Sequence, residues 1–546
     1  MLASPFSLIT PIYMKTEPKT VIEAGKAILG IEFGSTRIKA ILIDPDNKPI
    51  AQGNHTWDNQ LVDGLWTYSI QDIWSGLQDC YEDLRRDVRK QYDTEIEQLA
   101  AIGISAMMHG YMAFDEQEEI LVPFRTWRNT NTEQAAARLS ELFNFNIPLR
   151  WSISHLYQAI LNEEPHVGSI NYLTTLAGYI HWQLTGCRVL GIGDASGMLP
   201  IDPDTHNYDA EMVKLFDQLV APCGFSWRLT DLLPQVLSAG EDAGILTEKG
   251  ARLIDPSGHL RAGIPLCPPE GDAGTGMVAT NAVKPRTGNV SAGTSSFSMI
   301  VLEKNLSKPY TMIDIVTTPD GSPVAMVHCN NCTSEINSWV NLFKEYQELM
   351  GFPVDIDEIY TRLFNAALDG DPDCGGLLSY NYLSGEPVTG FAEGRPLFVR
   401  SAGDRFNLAN FMRTQLLAAI GVLKIGNDIL LKEEKVNVDR ITGHGGYFTT
   451  KGVGQRMLAA ALNSPISVME TAGKGGAWGI ALLAAYLVYN DRKQSLADYL
   501  DTHVFAGDTG TEVTPQPDDV AGFNTYIENY ITGLEIEHAA VKYKRS

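Results

Sequence analysis

One carboxylate in this sequence is set apart by its surroundings. Asp272 lies in the run Gly271-Asp-Ala-Gly-Thr-Gly276, where an apolar segment through Cys267 gives way to helical spacing. A carboxylate at such a junction either caps the helix or acts as a general base. A single base is enough for phosphoryl transfer, which is mostly positioning and charge neutralisation. Two glycine–hydroxyl turns accompany it, Gly34-Ser35-Thr36 and Gly293-Thr294-Ser295, each between two apolar runs. Such turns let backbone N–H groups approach phosphate oxygens while the hydroxyls add donors. Either turn alone is also consistent with a plain hairpin. The two segments beginning at Gly30 and Gly288 share one plan, a weak internal repeat, and two such hairpins facing one cleft would clamp a polyphosphate from both sides.

The elements that must position these residues follow from the pattern. Residues 27–44 read as strand, turn, strand, with a third strand over Ile50–Trp57 and a helix over Gln71–Gln91. Leu99–Ser105 is a short apolar strand running into Met107-Met108-His109-Gly110. Tyr172–Leu184 is the clearest helix of the following region. Asn281–Gly288 is a polar connector and an expected hinge. Beyond it, Val290–Leu302 repeats the hairpin, Asn407–Leu431 is a long helix, and Arg440–Thr442 is a strand entering the turn Gly443-His-Gly-Gly446. Gly473–Val488 is a helix rich in small residues.

At 546 residues the chain needs two large domains. Its net charge of −24 argues against a nucleic-acid surface or an anionic membrane partner, though not against an anionic ligand held locally. No apolar run approaches the ~18–20 residues of a membrane span, and residues 1–14, with Pro5 and Pro11 and no basic start, make a poor signal peptide. Residues 1–26 are expected to be a disordered extension. Seven scattered cysteines suit a reducing cytoplasm. Cys329-Asn-Asn-Cys332 has ligand-like spacing but lacks a second pair, so buried thiols are the favoured reading.

With both turns, the Gly-Asp run and the late glycine turn in this order, the chain from about Ala27 to Val488 resembles the FGGY carbohydrate kinases. The resemblance implies an α/β fold of the actin-like, hexokinase-like ATPase type, with ribonuclease H-like domains over residues 27–283 (sugar side) and 284–546 (nucleotide side) and a cleft between them. It implies ATP and Mg²⁺ as co-substrate and cofactor. By the same resemblance Asp272 is the general base. Gly34, Ser35, Thr36 and Lys39 form the first phosphate site and Gly293, Thr294 and Ser295 the second. Gly445 and Gly446 lie against adenosine, with Gln455 a neighbour of the purine. Glu32, where the family has Asp, holds Mg²⁺ through water, and Asp272 is the other candidate near the metal.

The segment Met107–Gly110 is similar to that of xylulose kinases, which puts Met108 and His109 on the sugar. Phe124–Thr130 resembles a second sugar-binding stretch: Trp127 is kept, while Asn129 and Asn131 stand where that group has Asp and Arg. A neutral polyol-like sugar is therefore expected, with a pentulose of xylulose or ribulose type leading. A hexulose or polyol kinase is the alternative, as is a nucleotide-binding sensor of the same fold without transferase activity. The implied partners are the sugar and ATP, with no nucleic acid or membrane, and a homodimer is among the allowed assemblies.

Overall fold

A computed structural model describes residues 17–469, 475–507 and 510–543. Its first half is built on a five-stranded sheet in the order Pro49–Thr56, Arg37–Ile43, Ile28–Phe33, Ala101–Ala106, Glu270–Gly271. The first three strands are mutually antiparallel neighbours, and the last two run parallel to Ile28–Phe33. The second half repeats this order: Pro323–Cys329, Ser296–Val301, Thr287–Ala292, Arg440–His444, Ile466–Val468, with Asp314–Thr317 and Thr511–Val513 added at the edges. The two segments recognised as a weak repeat are thus the equivalent central hairpins of two like sheets, as the two-domain α/β expectation required.

The strands form where the apolar runs lie. Ile28, Leu29, Ile31 and Phe33 are fully buried because both faces of the central strand are covered. Helix Ile70–Tyr92 covers one face; Ser69 Oγ accepts from Asp72 N at its start, and Asp93 ends it in a left-handed conformation. In the second half Leu408–Asp428 is the central helix, capped by Asn407. The stretch Leu408–Glu433 is long and apolar enough to cross a membrane by length and composition, but 83% of its apolar window is buried inside the molecule.

Two helices join the halves. Asp272–Ala279 follows the last strand of the first sheet, and Gly475–Tyr489 comes after that of the second but lies on the first sheet. Glycine makes this approach possible. A Cβ on Gly30 would lie 2.1 Å from the Ala477 carbonyl oxygen, and one on Gly479 would lie 2.0 Å from that of Thr275. The small residues of this helix have the tight-packing role expected of them, yet against the half to which residues 27–283 were assigned.

Two expectations need correcting. The extension thought to be disordered through residue 26 contains a helix, Pro18–Glu23, because Val21 and Ile22 find apolar partners and are 2% exposed; residues 1–16 lie outside the described residues. The expected helix over Tyr172–Leu184 begins as a strand, Tyr172–Thr174, paired with Met112–Phe114. Only from Leu176 is it helical, with Thr175 as its cap. The connector turns sharply, with positive φ at Asn281 and Arg286, and is tied down through Arg286–Asp439 and a hydrogen bond from Arg440 to the Asn281 carbonyl.

Candidate active site

Three parallel strands of the first sheet end side by side, and the residues that follow them converge: Gly34–Thr36 after Ile28–Phe33, Met107–Gly110 after Ala101–Ala106, and Asp272 after Glu270–Gly271. Ligands bind at carboxyl ends of parallel strands in folds of this kind because loops and helix N-termini are gathered there. Asp272 opens its helix, and its Oδ1 accepts the Met108 N–H at 3.1 Å. Burial, and then the negative charge of Glu32, raise the Asp272 carboxyl to about 6. Glu32 is cross-strand neighbour to Lys39, whose charge partly offsets the burial that raises the Glu32 carboxyl. A Cβ on Gly475 would lie 3.7 Å from Lys39 Nζ and 3.9 Å from Glu32 Oε2, so the start of the second crossing helix overlies this pair.

The first turn is held from behind by aromatic donors. Gly34 N–H bonds the Arg37 carbonyl at 2.9 Å, Trp57 Nε1 donates to the Gly34 carbonyl at 2.7 Å, and Tyr68 OH donates to that of Ser35 at 2.6 Å. Trp127 Nε1 donates to Ser35 Oγ at 3.1 Å, joining a residue expected on the sugar to one expected on phosphate. Thr36 is exposed at the tip.

The second turn sits at the end of Thr287–Ala292. Gly293 N–H bonds the Ser295 carbonyl at 2.9 Å, and a Cβ on Gly293 would meet nothing within 4 Å, so its backbone is open to a ligand. The segment Cys329–Thr333 braces it, Cys332 N–H donating to the Thr294 carbonyl and Thr333 to that of Gly293. Cys329 and Cys332 are buried free thiols, and burial pushes Cys332 up to about 12. Gly445, at φ +100, lies beside the same turn; a Cβ there would come within 2.5 Å of the Ala292 carbonyl oxygen, while Gly446 faces open space. The late glycine turn and the second hydroxyl turn are therefore adjacent, through the parallel pairing of Thr287–Ala292 with Arg440–His444.

Some expected contacts are used internally. Gln455 is 3% exposed and donates to the Ile466 and Thr511 carbonyls, fastening its helix to the sheet edge instead of reaching toward a purine. Asn129 is 4% exposed; its Oδ1 accepts from Trp66 N and its Nδ2 donates to the Trp66 and Thr126 carbonyls. It positions the loop carrying Trp127. His109, at φ +70, sets Nδ1 3.3 Å from the Gly197 carbonyl and stacks on Trp151. Burial, and then Arg150, hold it well below its ordinary value, so the ring is neutral, with the proton on Nδ1 facing the carbonyl and Nε2 left as acceptor.

Asp194 was expected only to fix its loop, and Glu270 and the residues around it were not anticipated. Glu270, two positions before Asp272, is raised to about 8 by burial and then by Asp194, which is itself raised to about 7, mainly by burial. Glu270 accepts the N–H groups of Gly193 and Asp194, and Cβ atoms on Gly191 and Gly193 would lie 2.3 and 2.4 Å from its oxygens. The turn it holds meets the second half, where Thr317 donates to the Ile192 carbonyl and to Ser196 Oγ at 3.0 and 3.1 Å. On the same edge strand Asp314 pairs with Arg150 and accepts from Asn146. His328, held down to about 4 by burial and Arg150, belongs to this group. The glycines at 191 and 193 were the only sequence signal for a side chain buried against them.

The residues also fit a hard divalent cation. Glu32 and Asp272 are oxygen donors whose mutual repulsion a cation would relieve. The described residues contain no cluster of three or more metal-ligating side chains.

Two like sheets joined by crossed helices, each with a glycine–hydroxyl turn in its central hairpin, make up the two-domain ATPase fold of sugar kinases. Residues 27–278 match the N-terminal domain, and residues 288–488 the C-terminal domain, of the FGGY family of carbohydrate kinases; the chain belongs to that family and is a carbohydrate kinase. It is 20% identical to a xylulose kinase of Haemophilus influenzae over 522 residues, 93% of this chain and 99% of that one. Among solved structures it resembles a ligand-bound xylulose kinase from Lactobacillus acidophilus, with TM-score 0.75, 18% identity and coverage of 94% and 98% of the two chains. A gluconate kinase from the same organism gives TM-score 0.74 and 18% identity over 94% and 98%.

Proposed function

We propose that this kinase transfers the γ-phosphoryl group of ATP to a hydroxyl of a pentulose of xylulose or ribulose type, with Asp272 as the base. The observation that carries the reading is the setting of Asp272: it stands at the strand ends, is oriented by the Met108 N–H, and has a carboxyl raised to about 6, so that it is ionised at neutral pH yet more basic than an exposed aspartate. Its carboxylate takes the proton of the sugar hydroxyl as that oxygen attacks the γ-phosphorus. The bond from phosphorus to the β,γ-bridging oxygen breaks, and ADP leaves with the electron pair. The backbone at Gly34–Thr36 and Gly293–Ser295, with Lys39, holds phosphate oxygens, and Gly445–Gly446 lets the nucleoside approach. Glu32 and Asp272 would hold Mg²⁺, which supplies charge neutralisation on the phosphates. Met108, His109 and Trp127 line the acceptor side. Xylulose kinases recur among the relatives, which favours a pentulose, while the gluconate kinase of like fold shows how readily pocket loops change on this scaffold.

A coupled assay of ADP release over pentuloses, hexuloses, polyols and aldonates tests the reading. Strong stimulation by one pentulose is expected; a stronger response to another class reassigns the acceptor, and ATP binding without transfer to any of them favours a sensor. The sign of the pH dependence follows from the base. Below about pH 6 Asp272 holds its own proton and cannot take another, so kcat/KM falls about tenfold per unit under that value and levels off above it. A flat profile down to pH 5 would remove Asp272 from the role.

The two halves should close on the substrates, since water must be kept from the γ-phosphate. Arg150–Asp314, with both side chains largely buried, is a contact on which closure depends. Asp314→Ala leaves Arg150 without its partner and should lower kcat/KM for the sugar by about tenfold, chiefly through KM. Equal kinetics in the variant would show that the pair has no part in closure.

A further inference from the structure

The turn after Thr287–Ala292 is braced through its carbonyl groups. The Gly293 carbonyl accepts the Thr333 N–H at 2.9 Å and the Thr333 hydroxyl at 2.7 Å, and the Thr294 carbonyl accepts the Cys332 N–H at 3.0 Å. In a trans peptide the C=O and the N–H point in opposite directions. Fixing these two carbonyls therefore turns the N–H groups of Thr294 and Ser295 away from the brace. Among the described residues neither N–H has an acceptor. Successive free backbone N–H groups of this kind form a concavity suited to an anion. Whatever holds residues 330–333 thus sets where these two donors aim.

They are held by one buried acid. Glu386 is fully buried, and its Oε2 accepts the Asn330 N–H at 3.0 Å, the Asn331 N–H at 3.2 Å and Asn331 Nδ2 at 3.0 Å. Its Oε1 has no hydrogen-bond partner. Asn331 locks the arrangement from its own side, its Oδ1 accepting the Leu383 and Ser384 N–H groups at 3.0 Å each. Asn381 Nδ2 donates to the Cys332 carbonyl at 3.0 Å, and the same peptide sends the Thr333 N–H in the opposite direction, to Gly293. Burying a carboxyl costs free energy that an apolar side chain in its place would not. All three side-chain hydrogen bonds of Glu386 go to the two residues that precede the brace. We propose that Glu386, acting with Asn331, is a positioning residue for phosphoryl transfer: it aims the Thr294 and Ser295 N–H groups at the phosphates of the nucleotide without touching them, a role that rests on the reading of Gly293–Ser295 as a phosphate site.

Calorimetric binding of ATP and of adenosine to the full chain separates aim from mere support. Glu386→Ala should weaken ATP at least about tenfold, the effect of losing a good hydrogen bond to a charged group, and leave adenosine and the KM of the sugar unchanged. A side chain that only supports the fold would weaken ATP and adenosine together, or lower the fraction of active protein and change neither affinity. Glu386→Gln keeps an oxygen acceptor for the three donors, so ATP affinity should return to within about threefold of the parent, whatever the amide group does to the melting temperature. If Glu386→Ala does not fold, Asn381→Ala carries the same test more gently: it removes one hydrogen bond to the Cys332 carbonyl and should weaken ATP by about threefold and adenosine not at all. A parent that binds adenosine as tightly as ATP would remove the phosphate reading of the turn, and the role of Glu386 with it. A parent that prefers ATP, with variants that leave this preference intact, would overturn the role of Glu386 alone.

Discussion

Asp272→Asn is expected to abolish most phosphoryl transfer, lowering kcat by about 10²–10⁴-fold, while leaving nucleotide affinity nearly intact. The amide keeps the size of the side chain and can still accept the Met108 N–H through its oxygen, so the loop need not move. What is lost is the negative charge, and with it the ability to take a proton. The stability of the variant separates this from unfolding. In the folded chain burial and Glu32 raise Asp272 from its ordinary 3.8 to about 6. The neutral acid is thus favoured by folding; its contribution is complete below about pH 4 and is lost as pH rises through about 6. Asn carries no such loss. The variant should therefore melt no lower than the parent at pH 8 and gain relative to it as pH rises from 4 to 6. Retained transfer at the parental rate would mean that another group is the base.

Gly479→Ala is expected to loosen the crossing of the two central helices and to disable the site with it. A methyl group here gains about 1 kcal/mol in helix propensity. Against that, the new Cβ would lie 2.0 Å from the Thr275 carbonyl oxygen and 2.8 Å from its carbon, both backbone atoms that no rotamer change can move away. Relief requires the helices to separate by about an ångström, and overpacking of this kind costs about 1–3 kcal/mol or more. The net effect should be a melting temperature lower by several degrees. Thr275 is one turn beyond Asp272 on the same helix, and its hydroxyl lies 3.2 Å from Ser105 Oγ, so the displacement also carries the Asp272 carboxylate away from the Met108 N–H. A control is available on that helix: Gly276→Ala places its Cβ within 4 Å of nothing and should leave the melting temperature unchanged or raised. If both variants melt alike, the tight crossing is not what sets the stability of this region.

Much of this was legible because it depends on local chain properties. Apolar runs broken by Gly-hydroxyl turns become hairpins wherever they occur, so the central strands of both sheets and their turns follow from residues 28–43 and 287–301 alone. Their likeness indicated a duplicated fold, and Gly271–Gly276 placed a carboxylate at a strand–helix junction. Reading failed where partners come from elsewhere in the chain. Asn129 and Gln455 have side chains suited to a sugar or a purine, but backbone carbonyls and N–H groups of distant segments already occupy them.

The sequence by itself determined the order of the strands' chemistry, the two phosphate-type turns, the single well-placed acid and the family. Tertiary structure alone decided what surrounds that acid. Burial against Glu32, from a strand 240 positions earlier, raises Asp272, and Glu270 ties its strand to a turn that meets the second half. Only packing showed that helix Gly475–Tyr489 belongs to the first sheet and that Glu386 holds Asn330 and Asn331. The physical reason is one of range: turn and strand preferences act over a few residues, whereas charge coupling, desolvation and buried hydrogen bonding depend on which distant segments the fold brings together.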